Sequence, residues 1–599
     1  MTNPIPTRLA ALRAAMRQHG VTAVLVPTAD PHLSEYLPEH WQARTWLSGF
    51  TGSAGTLIVT LDQAGLWTDS RYFSQAEHEL AGTGVTLMKL RVPHTPEHLE
   101  WLRQQLHDGD VLAVAGDSVA LTTQRQIERL LADTGASLRT DLDLPGEIWP
   151  DRPALPMAAV IAHDPAFASV SRADKLARLR KAMHKHGATH HLLSSLDDIA
   201  WLTNLRGSDV ECNPVFLAHL LVQAEKSATL FVNRGKLGDT LVAALAADGV
   251  NIADYASVTS TLHELGANSR LLLDSSRVVS SIASAIAPAV VRIEAANPST
   301  AFKAVKNADE LEHIRDVMRR DGVALVRSFR RLEQRLAAGM TVTELDVDAL
   351  VHEERSAQPG WVGESFATIA GYQANGALPH YRATGASHST LQARGLLLID
   401  SGGQYLGGTT DITRVLALGE TTAEQRRDAS LVMKGMIGLS RARFPKGASG
   451  PQLDALARAP LWAAGMDYGH GTGHGVGYFL NVHEGPHGIR PPSAGGALVA
   501  LQPGMISSIE PGLYKPGRHG IRHENLAMVI EAEQTEFGDF LAFETLTMCP
   551  FDRRALEPSL LNPDERAWLD DYHARVRAAL SPLLDGVDLE WLNRNCAPL

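Results

Sequence analysis

The sequence predicts an α/β protein whose first two domains are related copies in tandem, followed by a third domain that carries the chemistry. Three observations lead there. Helix-period segments alternate with short apolar runs bounded by turn residues, which is the texture of α/β folds. A segment near the N-terminus returns once, in order and at a constant offset. The stretch Gly395 to Glu524 gathers acids and histidines beside glycines and strand ends. At 599 residues the chain is too long for one hydrophobic core, so three or four domains are expected.

Composition narrows the class. Hydrophobic content of 44% and charged content of 20% are those of an ordinary globular protein. A net charge of −12 argues against a nucleic-acid surface. Three scattered cysteines, Cys212, Cys549 and Cys596, indicate neither a disulfide framework nor a zinc ribbon. The first residues lack the apolar core of a secretory signal, and no stretch is apolar enough to span a bilayer. A cytoplasmic protein with no membrane partner is expected.

Taken in order, residues 7–20 predict an amphipathic helix with Leu9, Leu12 and Met16 on one face and Gly20 as its stop. Val21 to Pro27 predicts a buried strand, and Leu57–Thr60 and Leu66–Thr68 two more. The pattern then repeats. Leu9, Leu12, Arg13, Ala15, Met16, His19 and Gly20 return as Leu176, Leu179, Arg180, Ala182, Met183, His186 and Gly187, and WLSGFTGS (46–53) returns as WLTNLRGS (201–208). Domain limits at 1–155, 156–303 and 304–599 are expected, with a C-terminal extension from about 550. Asn307 and Glu310 form a capping box ahead of a long helix ending near Gly339. Thr341–Arg355, Leu453–Ala464 and Asp564–Leu584 predict further helices, the last with Trp568, Leu569, Tyr572 and Val576 on one side. Leu396–Ile399 predicts a buried strand ending in Asp400.

The chemistry is expected at Asp400, Asp411, His474, Glu510 and Glu524. Asp400 ends a strand, and Asp411 follows a polar glycine-containing connection, as two inward-pointing acids of a strand–loop–strand unit would. Buried carboxylates are costly unless paired or metal-bound, so four acids and a histidine in such settings call for cations. Two divalent ions would balance the four acids, with a bridging water or hydroxide whose pKa falls to about 7. Oxygen-rich ligation with one imidazole suits Mn²⁺, with Zn²⁺ or Co²⁺ as alternatives. HGTGHGVG (470–477) is the most specific motif: His474 is the ligand candidate and His470 faces substrate or supports the ligands. His483 and His380 are placed to hydrogen-bond a scissile carbonyl or a tetrahedral intermediate. His487, His519 and His523 are expected at the surface, and Arg522 either orients a ligand or is a surface charge.

These residues resemble the pita-bread metallopeptidases: methionine aminopeptidases, prolidases and aminopeptidase P. The chain is most similar to the large, three-domain, cytosolic aminopeptidase P family. The likeness runs through SGFTGSAGT (48–56), WTDSRYF (67–73), DDIAWLTNLRGSDVECNPVF (197–216), IDSGGQYLGGTTDITR, HGTGHGVGYFLNVHEGP, EPGLY, GIRHEN and the tail FETLTMCPFD. It implies α/β and α+β architecture: two creatinase N-terminal-like domains followed by a pita-bread catalytic domain. It implies that Asp411 and Glu524 touch both ions, with Asp400 on one and His474 and Glu510 on the other. His380, His470 and His483 would be the substrate-binding and catalytic histidines, Arg522 a substrate-side residue, and Glu510 the general base. The implied reaction is removal of the first residue of a peptide when proline is second, by a manganese-dependent homodimer.

A prolidase, restricted to dipeptides, uses the same ligands and is the alternative. The doubled N-terminal domain argues against it. A methionine aminopeptidase would be a much shorter chain, while a non-enzymatic binding module or a creatinase-like hydrolase would not need all five ligands.

Overall fold

The computed structural model describes residues 3–91, 96–225, 227–492 and 498–599. The chain divides into two units: residues up to 163 together with 170–300, and residues 164–169 together with 301–599.

The N-terminal unit holds two six-stranded sheets with one topology. Numbering the strands of each sheet along the chain, both have the order 4-3-2-1-5-6. In the first, Ala23–Pro27 lies antiparallel to Thr56–Thr60 and parallel to Val111–Ala113. In the second, His190–Leu193 lies antiparallel to His219–Gln223 and parallel to Arg270–Leu273. The helix before each first strand, Ile5–His19 or Arg172–Lys185, buries the repeated apolar positions Leu9, Leu12 and Met16, or Leu176, Leu179 and Met183. The second matched segment is also structural. Helices Ala43–Ser48 and Leu196–Thr203 both stop on a left-handed residue, Gly49 (φ 77°) in one copy and Asn204 (φ 50°) in the other. Glycine and asparagine are the residues that tolerate that cap conformation.

In the C-terminal unit, the long helix runs Ala308–Ala337. Asn307 accepts from the Glu310 amide at 3.0 Å, and Glu310 accepts from the Asn307 amide at 2.9 Å. The next helix, Glu344–Ser356, starts later than the periodicity suggested, because Thr343 and Asp346 form its capping box. Three-stranded and six-stranded sheets follow. The first pairs Ile369–Tyr372, Leu396–Ser401 and Ile412–Ala417, all antiparallel. The second has the order Arg443–Pro445, Gly538–Thr545, Asn525–Thr535, Ile506–Ile509, Gly473–Gly475, Glu484–Ile489. A single hydrophobic core joins these sheets to helices Ala423–Ser440 and Gly450–Trp462 and to the tail. The tail helix is Pro563–Leu580, shorter than expected, and a 3₁₀ turn takes over at Ser581–Leu583. Pro582 has no amide hydrogen to continue the helix. Among the described residues, no helix is long and apolar enough to cross a membrane.

Candidate metal centre

Five strand ends and connections of the C-terminal unit carry the expected ligands. Asp400 is in the fully buried strand Leu396–Ser401, directly opposite Thr413. Asp411 precedes the strand Ile412–Ala417 and is 4% exposed. His474 is the middle residue of Gly473–Gly475, and Glu510 follows Ile506–Ile509, the neighbouring strand. Glu524 lies in the two-residue connection between His519–Arg522 and Asn525–Thr535, at 1% exposure. The glycines here let backbone meet backbone. A Cβ on Gly473 would stand 1.9 Å from the Ser508 carbonyl oxygen, and one on Gly475 2.1 Å from that of Glu484. Only glycine permits this approach, and it sets His474 beside the strand that leads to Glu510.

The side chains converge. Donor atoms of Asp411, His474 and Glu524 all lie within 4.8 Å of one another. His474 Nε2 is 3.4 Å from Asp411 Oδ2 and 3.5 Å from Glu510 Oε1. His474 Nδ1–H donates to the Gly475 carbonyl at 3.0 Å. That bond turns Nε2 towards the acids, as a metal-binding imidazole requires. Asp400 gives Oδ2 to Arg522, while its Oδ1 is buried with no hydrogen-bond partner.

The electrostatics record an excess of negative charge. Burial raises Asp400 to about 6, with Arg522 opposing and Asp411 adding to the rise. Burial, followed by the charges of Asp411, Asp400 and Glu510, drives Glu524 well above the carboxylate range. Glu510 is also raised by burial, with His474 and Arg522 pulling it back. Burial alone would lower His474, but its bond to Asp411 and the charge of Glu510 raise it to about 9. Carboxylates this close cannot all ionise without a cation. The orphaned Asp400 oxygen, the oriented Nε2 and the oxygen-rich donor set therefore fit divalent metal ions.

The other expected residues surround this group. The His483 ring stands edge-on to the His474 ring, 4.3 Å between centroids. His470 Nε2 meets the Tyr514 hydroxyl at 2.9 Å. His380 is half-buried in a turn whose Pro379 carbonyl accepts from Arg522 at 3.4 Å. Arg522 is 3% exposed and is no surface charge. It pairs with Asp400, donates to Thr413 Oγ1 at 3.1 Å and to Tyr514 Oη at 2.5 Å. Thr413 Oγ1 in turn donates to Glu524 Oε2 at 2.8 Å.

Three expectations are corrected: His487, His519 and His523 are not at the surface. They are 5%, 2% and 2% exposed. His487 bonds the Ile506 carbonyl, His519 bonds Asp428, and His523 packs edge-on to Phe551. The strand His519–Arg522 is buried along its whole length, so its polar alternation does not mark a solvent face. Sequence reasoning also missed Tyr514, Thr413 and Ser508. Ser508 Oγ takes the His474 amide at 3.0 Å and donates to Glu510 at 3.3 Å. Tyr514 was visible in EPGLY, but nothing local distinguishes it from a core tyrosine.

Fold and site together define a metallopeptidase centre in which acids and one histidine meet between two antiparallel sheets. Residues 312–531 match metallopeptidase family M24, 8–143 and 151–310 each match a creatinase/prolidase N-terminal domain, and 539–599 match the C-terminal region of peptidase M24. The chain is 40% identical to a probable Xaa-Pro aminopeptidase P of Laccaria bicolor, over 99% of this chain and 93% of that one. It is 39% identical to the probable Xaa-Pro aminopeptidase P of Sordaria macrospora, over the whole of both. The crystal structure of X-prolyl aminopeptidase from Caenorhabditis elegans, described as a cytosolic enzyme with a di-nuclear active site, matches with a TM-score of 0.93 at 32% identity over 99% of each chain. A dipeptidase PepE structure from Mycobacterium ulcerans matches with a TM-score of 0.50 at 25% identity, over 65% of this chain and 98% of that one. The chain belongs to metallopeptidase family M24, in its form with two creatinase N-terminal domains. Membership implies a site for two divalent metal ions.

Proposed function

We propose that the protein is a metal-dependent Xaa-Pro aminopeptidase, releasing the first residue of peptides that carry proline second. The observation that carries this is the convergence of Asp400, Asp411, His474, Glu510 and Glu524 in a chain that aligns end to end with X-prolyl aminopeptidases. Asp411 and Glu524 would hold both ions, Asp400 one, and His474 and Glu510 the other. Mn²⁺ is the ion this donor set favours. When bound, such ions polarise a carbonyl and lower the pKa of a water to about 7.

The chain's own residues do the rest. Glu510 would accept the proton of the attacking water at a carboxylate oxygen. His483, edge-on to His474, would donate to the oxygen of the scissile carbonyl. His470, held by Tyr514, and His380, in the turn held by Arg522, would face the peptide. An Xaa-Pro bond has no amide hydrogen, so recognition must come from ring shape and carbonyl contacts. Asp400 is kept aligned by Arg522, which is fixed in turn by Tyr514 and Thr413.

The same reading proposes a cytosolic homodimer, as the C. elegans enzyme's cytosolic description and the family likeness suggest. It also proposes domains at 1–155, 156–303 and 304–599. The test is hydrolysis of Arg-Pro-Pro by metal-stripped protein, before and after Mn²⁺ is added. Arginine released only with metal supports the proposal. Gly-Pro cleaved while Arg-Pro-Pro stays intact would make the protein a prolidase instead.

A further inference from the structure

Arg414 is 1% exposed and among the largest fully buried side chains of the protein. Six acceptors surround its five N–H groups, and every one is neutral. On the inner side are the carbonyls of Thr413 (2.9 Å) and Glu524 (2.6 Å) and the side-chain oxygen of Asn525 (2.8 Å). On the outer side are the carbonyls of Cys549 (2.7 Å) and Pro550 (3.2 Å) and the Tyr572 hydroxyl (2.9 Å). The Phe551 ring lies 3.8 Å from the guanidinium carbon. A buried cation hydrogen-bonded only to neutral groups is costly. One of its inner bonds ends on the backbone of Glu524 itself.

Thr413 and Arg414, neighbours in one strand, therefore grip the same metal-ligand candidate from two sides. Thr413 takes the Glu524 carboxylate through its hydroxyl, and Arg414 takes the Glu524 carbonyl. The outer half of the grip comes from the C-terminal region, residues 539–599. Tyr572 projects from the helix Pro563–Leu580 with its ring stacked on Trp568 at 5.6 Å. Its hydroxyl accepts from Arg414 and from the Cys549 amide (3.3 Å) and donates to the Cys549 carbonyl (2.7 Å), which uses all its capacity.

Resting on the metallopeptidase reading above, we propose that Arg414 is a positioning residue for Glu524, and that the C-terminal region serves the metal centre by completing the Arg414 grip through Tyr572. Removing an outer partner of a metal ligand typically weakens metal binding about 10–100-fold. Arg414→Met should lie in that range. Tyr572→Phe, which takes one of the three acceptors around Nη2 and leaves the Cys549 amide short of an acceptor, should weaken binding several-fold. Arg414→Lys should not rescue, because a single ammonium cannot span acceptors on both sides. Adding Tyr572→Phe to Arg414→Met should cost little more, since both act through one path.

The measurement is titration of the metal-free, folded, full-length protein with Mn²⁺, with thermal melting of the same samples. Val576→Ala, in the same helix, is the control for general loosening: it should lower the melting temperature and leave the Mn²⁺ affinity unchanged. Tyr572→Phe with wild-type affinity, whatever its melting temperature, would overturn the proposal, and so would Val576→Ala weakening Mn²⁺ as much as Tyr572→Phe does. Tyr572→Phe decides the matter even if Arg414→Met does not fold. A wild-type protein that binds no Mn²⁺ would instead overturn the metallopeptidase reading itself.

Discussion

In the second N-terminal copy, Lys236 and Asp209 bury one cation directly against one anion, both side chains almost wholly withdrawn from solvent. In the catalytic unit, Asp400, Asp411, Glu510 and Glu524 gather around one arginine and one imidazole. The first cluster is balanced within the chain. One anion meets one cation there: Asp209 Oδ2 accepts from Lys236 and from the Leu217 amide at 2.7 Å, while its Oδ1, like that of Asp400, is buried without a hydrogen-bond partner. The second is not balanced: four acids share one arginine and one imidazole, and Asp400 and Glu524 are raised by neighbouring carboxylates as well as by burial. Both clusters are buried and acidic, yet only one needs something the chain does not supply. Buried charge becomes a functional signal when its partners fall short, and burial alone is not enough.

The largest expected effect tests the unbalanced side. Asp411→Ala should abolish Mn²⁺-dependent hydrolysis of Arg-Pro-Pro and reduce bound metal below two ions per chain, read by elemental analysis of the dialysed protein. Full metal content in that variant would remove Asp411 from the ligand set. The balanced side should fail differently. Lys236→Met leaves Asp209 buried without its cation, at a cost of about 3–5 kcal/mol. Hydrogen exchange should show lost protection in His219–Gln223 and Ala228–Phe231 while metal stoichiometry is kept, and Asp209→Leu added to it should restore much of the protection.

A third experiment adds the missing charge. If the acids await cations, Mn²⁺ at 100 times its dissociation constant should stabilise the metal-stripped protein by about 2.7 kcal/mol. Equal melting with and without Mn²⁺ would contradict the comparison. The smallest effect concerns neutral buried groups. His191 bonds the Leu272 carbonyl at 3.0 Å, and burial lowers it to about 4. Its folded-state pKa lies below the unfolded value of about 6.5, so the unfolded chain binds more protons in between. Its contribution is complete above about pH 6.5 and is lost as pH falls towards 4, about 2 kcal/mol by pH 5. Urea unfolding at pH 7 and pH 5 should show this difference shrink in His191→Phe.

Much of the fold was legible because its signals are local. The stripe Leu9, Leu12, Met16 and its repeat Leu176, Leu179, Met183 marked the two helices, and both are buried as the period required. Asn307 and Glu310 marked a helix start through bonds three residues apart. Asp400 at the end of an apolar run and His474 among glycines stood out because strands and close backbone contacts leave few alternatives. His519 and His523 were misplaced for the converse reason. A short polar-looking strand gives no sign that it is covered on both faces.

The sequence by itself determined which residue types could hold metal, where the main strands and helices lie to within a few residues, and that one α/β unit occurs twice. These follow from side-chain chemistry and from periodicities of two and 3.6 residues, which need only near neighbours. The fold decided which of the candidates meet and what holds them. Arg522 reaches Asp400 across 122 residues of chain, and Arg414 reaches Tyr572 across 158. No local pattern encodes such pairs, because they form only when packing brings distant strands and the tail helix together around a buried cluster whose charge the chain alone does not balance.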